Sequence, residues 1–172
     1  HVSTDYIFDG TAAPYVEDDR PHPLGYYGKS KLAGENALVA SGANYAIART
    51  MVLYGTARTA RLNFVTWVID QLQQGNEIRI VDDQFGNTTL ASDLAGALIH
   101  IAERGLEGVY HAAGRGIVDR FTFTQAIANA YGLDTSLIQR IKTADLNQPA
   151  PRPMDSGLAV EKLAESGYNM LD

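Results

Sequence analysis

Buried-strand and helix patterns alternate along most of this chain, and that alternation restricts its fold more than any other feature. The apolar run Tyr6–Ile7–Phe8, closed by Asp9-Gly10, predicts the end of a buried strand. Residues 11–25 carry three prolines and an acidic cluster and are expected to form a loop. A helix is expected from about Tyr26 to Ala40, stopped by Ser41-Gly42. YAIARTMVLYG, residues 45–55, is rich in apolar and β-branched types and predicts a second buried strand. Phe64, Val65, Val68, Ile69 and Leu72 recur at helical spacing, and that pattern stops at Gly75. EIRIVD then predicts a short strand. ASDLAGALIHIAERG predicts a helix with Ser92 or Asp93 able to cap it and Gly105 ending it. GVYHAAG predicts a strand, TFTQAIANAYG a helix capped by Thr122 or Thr124, and SGLAVEKLAESG a last helix.

Such alternation is the signature of a parallel α/β sheet covered by helices. A 45% hydrophobic and 20% charged composition supplies a core large enough to bury one. Doubly wound folds place a glycine-rich phosphate loop after the first strand, yet neither G-x-G-x-x-G nor G-x-x-G-x-x-G occurs here. A chain that opens inside a strand is therefore expected to be the back part of a longer protein. The net charge of −6 argues against a nucleic-acid backbone binder. No stretch approaches the roughly 18 apolar residues of a membrane span, so no membrane partner is expected. The complete lack of cysteine fits a reducing compartment, and the cytoplasm is the expected location. His1, His22, His100 and His111 are scattered, without metal-ligand spacing.

In YGKSK, Tyr27 and Lys31 stand four apart on an expected helix and so project from one face. A phenol of ordinary pKa about 10 is a poor acid at neutral pH, but a nearby ammonium favours the phenolate. The pair is suited to protonating a carbonyl oxygen as hydride reaches its carbon. The spacing alone is not specific, because Tyr45/Arg49 and Tyr54/Arg58 share it. Thr4 lies 23 residues ahead of Tyr27, at the carboxyl end of an expected strand, where α/β sheets bind ligands. Its hydroxyl could donate to a substrate carbonyl, or could simply satisfy a local turn. Trp67, at helical spacing, reads as core.

Thr4 followed by Tyr27-x-x-x-Lys31 resembles the Ser/Thr–Tyr–Lys triad of the extended short-chain dehydrogenase/reductases. STDYIFDG, YGKSKLAGE, RTMVLYG, DDQFGNTTLASDLA, GVYHAAG and PAPRPMDSGL are similar, in that order, to the dTDP-4-dehydrorhamnose reductase family. The resemblance implies an α/β fold, the C-terminal part of a Rossmann-like doubly wound parallel sheet with a small α/β substrate-binding lobe. Residues 1–56 and about 84–118 would belong to the sheet domain, and 57–83 and 119–172 to the lobe. The cofactor implied is NADPH or NADH. Tyr27 would protonate the C4 keto oxygen, and Lys31 would bind the nicotinamide ribose and acidify Tyr27. Thr4 would hydrogen-bond the keto group, Asp5 would contact a sugar hydroxyl, and Val2 would lie beside the nicotinamide.

The related 4,6-dehydratases carry an Asp-Glu pair after the catalytic Thr; here Tyr6 follows Asp5, which favours reduction over dehydration. Val52 stands where the family usually has Trp, which gives up an aromatic platform and widens the sugar pocket. Thr88 likewise replaces the family's usual Pro. Arg152, between two prolines, is a candidate for the nucleotide diphosphate, with Arg58 and Arg61 as weaker ones. The expected partner is a nucleotide-sugar substrate. An uncovered strand edge makes a homodimer compatible with this reading. A non-catalytic regulatory subunit of the same fold and a nucleotide-sugar epimerase remain alternatives. The 172 residues alone are expected to be inactive, because the helix N-terminus that holds a pyrophosphate lies outside them.

Overall fold

The computed structural model describes residues 1–56, 62–146 and 148–172; Arg58 and Arg61 lie outside them. A three-stranded parallel sheet is built from β1 (Val2–Thr4), β2 (Ala46–Thr50) and β7 (Gly108–His111), in that spatial order. Between β1 and β2 runs α1 (Tyr26–Ala40), at the bounds its sequence predicts. Pro21 and Pro23 keep the preceding segment extended, and Gly42, at φ 70°, ends the helix in a conformation that favours glycine. One cluster lies under this sheet. Leu94, Ala97 and Ile101 of α3 (Ala91–Glu103) meet Ala48 and Tyr110, together with Leu163 and Met170.

A second cluster is built from α2 (Phe64–Gln73), β4 (Ile78–Val81), α4 (Arg120–Ala130) and β9 (Ile138–Ile141). Here β4 and β9 pair in parallel, and Val68, Leu72, Phe121 and Ile127 close over them. Three short strands connect the parts. β3 (Leu53–Tyr54) pairs with β6 (Thr89–Leu90), and β5 (Phe85–Asn87) pairs antiparallel with β8 (Ile117–Asp119).

Several local expectations are corrected. Tyr6–Phe8 is not strand: β1 stops at Thr4, whose hydroxyl accepts from the Tyr6 N–H and caps a 3₁₀ turn over Asp5–Ile7. The long strand expected over residues 45–55 breaks into β2 and β3. Val52, at φ 45° in the left-handed region a β-branched residue rarely enters, turns the chain between them. α4 is capped by Asp119, to which Thr122 donates, and not by Thr122 or Thr124. α3 has no side-chain cap; Asp93 instead accepts from Tyr168 and from the Leu171 N–H. The last helix, α5, covers only Glu161–Glu165. The residues before it run extended, because Ser156 and Ala159 donate to Phe85 and Tyr15.

Candidate active site

β1 and the turn that follows it gather five of the residues singled out from the sequence. Lys31, from α1, reaches across to β1 and donates from Nζ to the Val2 carbonyl at 2.6 Å. Tyr27, one turn earlier on the same face, packs edge-on against Tyr6 with ring centroids 5.7 Å apart. Tyr27 is 56% exposed, which leaves it open to a ligand. Gly28 makes this docking fit: a Cβ there would collide with the Tyr6 carbonyl. Thr4 and Asp5 lie between these anchors, both buried.

Asp5 has both carboxylate oxygens engaged. Thr4 Oγ1 donates to Oδ1 at 2.9 Å, and Ser156 Oγ donates to Oδ2 at 2.7 Å. Burial disfavours the charged form and pushes the Asp5 carboxyl up to about 6. The two hydroxyl donors and the Arg120 guanidinium pull the other way and do not offset it.

Beside this group a cleft of about 390 Å³ opens between the carboxyl end of the sheet and the second cluster. Val52 and Arg152 line it, together with Arg79, Arg120, Phe64 and Trp67. Trp67 therefore does two things: it packs on the second cluster and presents a face to the cleft. Arg120 is the residue the sequence reading missed. It is half-buried, its guanidinium lies 5.2 Å from the Phe64 ring centroid, and no carboxylate among the described residues pairs with it. Burial and the neighbouring Arg152 hold its pKa below the ordinary arginine range. Arginines crowded together in a partly desolvated cleft favour an anionic ligand. No local signal marks Arg120, since an arginine in the first turn of a helix is ordinary. Ser156 was missed for the same reason, although it lies inside a quoted motif. Among the described residues no group of His, Cys, Asp or Glu is arranged to hold a metal ion, and no helix is long and apolar enough to cross a membrane.

A model of the RmlD substrate binding domain matches residues 1–171. The chain belongs to this family. It is 39% identical over 178 residues to the dTDP-4-dehydrorhamnose reductase of Mycobacterium tuberculosis, covering 99% of this chain and 58% of that protein. The same-named enzyme from Bacillus anthracis, solved in complex with NADP, superposes with a TM-score of 0.92 at 30% identity, over 99% of this chain and 60% of that one. The chain is also 35% identical over 173 residues to the methionine adenosyltransferase 2 subunit beta of Xenopus tropicalis, covering 97% of this chain and 52% of that one. This RmlD-family chain thus spans somewhat more than half the length of the relatives it matches. Its fold is the parallel α/β fold that the alternating pattern predicts and the Rossmann-like one that the resemblance implies.

Proposed function

We propose that the full-length protein is an NAD(P)H-dependent reductase of the C4 keto group of a dTDP-4-keto-6-deoxysugar, acting in deoxysugar and surface-polysaccharide biosynthesis. What supports this reading is that α1 docks Lys31 on Val2 and Tyr27 on Tyr6, to either side of Thr4 along the chain, in a chain matched along its length by one family. When bound, the nicotinamide cofactor supplies the hydride. Tyr27 donates the phenol proton to the keto oxygen, and its exposure gives it access to one. Lys31, held at the Val2 carbonyl, stands one helical turn away with an ammonium able to bind ribose hydroxyls and stabilise the phenolate left behind. Val2, 38% exposed, borders the place the nicotinamide would take. Thr4 hydrogen-bonds the keto group. Arg152 and Arg120 hold the diphosphate, and Val52 borders the sugar with no aromatic face to offer.

We assign residues 1–56 and about 84–118 to the sheet part, and 62–83 with the segment from 119 to the lobe. The packing of Leu163 and Met170 under the sheet favours assigning the last residues to the sheet part. The protein acts in the cytoplasm on a nucleotide sugar, and a homodimer is its proposed assembly. Likeness to the methionine adenosyltransferase subunit supports a second reading, a binding subunit of the same fold. Oxidation of NADPH by the full-length protein with a dTDP-4-keto-6-deoxyhexose separates the two. The reductase turns over, and Tyr27→Phe lowers kcat by about two to four powers of ten. Equal rates for wild type and variant would overturn the assignment of Tyr27, and no turnover would favour the binding subunit.

A further inference from the structure

Thr4, the proposed donor to the keto oxygen, is already donating elsewhere. Its single hydroxyl proton goes to Asp5 Oδ1 at 2.9 Å, and its oxygen accepts from the Tyr6 N–H at 3.3 Å. In that state Thr4 can offer a substrate only a lone pair, which a keto oxygen, itself an acceptor, repels. Ser156 breaks the symmetry of the carboxylate. It donates to Oδ2 at 2.7 Å, so a proton added to Asp5 goes to Oδ1, the oxygen beside Thr4. The neutral acid then donates to Thr4 Oγ1. Both lone pairs of Thr4 are now taken, by Asp5 and by the Tyr6 N–H, and its own proton turns to whatever oxygen is presented to it.

We propose that Asp5 and Ser156 are positioning residues that set the direction of the Thr4 hydrogen bond, so that Thr4 donates to the ketosugar only while Asp5 is neutral. This inference rests on the reductase reading and deepens it. Asp5 acts through Thr4, and its proton stays on the carboxyl throughout the cycle.

The surroundings favour the neutral form of Asp5 up to about pH 6. Asp5 is 3% exposed, and burial raises its carboxyl to about 6, against the hydrogen bonds from Thr4 and Ser156 and the positive charge of Arg120 on α4. Arg120 in turn faces Tyr6 and Arg152, and Asp119 lines the same small cavity as Asp5 and Ser156. Ser156, also 3% exposed, is fixed by the backbone. Its N–H donates to Phe85 O at 3.2 Å, and the Phe85 N–H donates to Met154 O at 2.7 Å. A residue 151 positions away in sequence thereby selects which oxygen of Asp5 carries the proton.

The test is the pH profile of kcat for the full-length protein reducing a dTDP-4-keto-6-deoxyhexose with NADPH, together with a ¹³C NMR titration of the Asp5 carboxyl. In the wild type, kcat falls about tenfold per pH unit above the Asp5 titration. Ser156→Ala moves that midpoint up by about one pH unit, because the carboxylate loses a donor. Asp5→Asn, whose amide can donate to Thr4 and accept from Ser156, flattens the profile. Superimposable profiles for wild type and Ser156→Ala, or the same descent in Asp5→Asn, would overturn the proposal and leave the reductase reading standing. Absence of turnover with any ketosugar would instead count against that reading. The NMR arm still decides the role of Ser156: an upward shift of the Asp5 titration in Ser156→Ala supports it, and an unmoved titration overturns it.

Discussion

Asp5 and Asp9 stand four residues apart in one hydroxyl-rich stretch, and each accepts hydrogen bonds from more than one side-chain donor. Asp5 receives Thr4 and Ser156 and is nevertheless raised to about 6, because it is buried. Asp9 receives His22 at 2.9 Å, Thr11 at 2.8 Å and Tyr15 at 2.8 Å and is held far below the carboxylate range, with the His22 hydrogen bond the largest cause. Similar donors give opposite outcomes because desolvation dominates at the first site and hydrogen bonds dominate at the second. Asp5 faces the candidate reaction centre, where a neutral acid is useful. Asp9 pins the Asp-Gly turn: Tyr15 donates to it while the same phenol oxygen accepts from the N–H groups of Gly10, Thr11 and Ala12.

Glu35 tests burial against pairing most strongly. It is as buried as Asp5, but Arg49 grips it through Nε at 3.2 Å and a terminal guanidinium nitrogen at 2.8 Å. Glu35→Gln leaves the buried Arg49 uncompensated and should cost about 3–5 kcal/mol in urea unfolding of the full-length protein. A cost near zero would mean that burial alone governs these carboxylates. Asp5→Asn should go the other way. Between 3.8, its ordinary value, and about 6 the folded state holds a proton that the unfolded chain releases. The stability contributed by neutral Asp5 is therefore full below that window and lost as pH rises through it. The variant should be more stable than wild type by about 2–3 kcal/mol at pH 8 and equal to it near pH 4. A loss at pH 8 would erase the contrast with Asp9.

For Asp9 the sign reverses. Its lowered pKa contributes stability above the ordinary carboxylate range, and that contribution is lost as pH falls toward the lowered value. Asp9→Ala should cost about 1–2 kcal/mol at pH 7, with the deficit shrinking in acid, as followed by thermal melts. Smallest of all, His22→Ala removes a 78%-exposed partner and should cost less than about 1 kcal/mol, less again in high salt. A large effect there would indicate that the Asp9 turn depends on its ion pair more than on Tyr15.

Features set by neighbours along the chain could be read from the sequence. The bounds of α1 follow from the prolines before it and Gly42 after it, and the Tyr27/Lys31 pair follows from helical spacing. Both held. Where a choice depends on which hydroxyl or carboxylate reaches a backbone N–H first, local reading failed: Asp119, not Thr122 or Thr124, caps α4. Strands as short as β3, β5, β6 and β8 escaped notice because two or three residues are too few to express a period of two.

By itself the sequence determined an alternating α/β chain, a helix presenting Tyr27 and Lys31 together, and a threonine at a strand's carboxyl end. Each follows from the fixed repeat of helix or strand, which needs no distant partner. Only the tertiary structure decided that Ser156 would meet Asp5, that Arg120 would stand in the cleft beside Arg152, and that one aspartate of the stretch would be raised in pKa while the other was lowered. Those outcomes depend on desolvation and on contacts made across long stretches of chain, which no local pattern encodes.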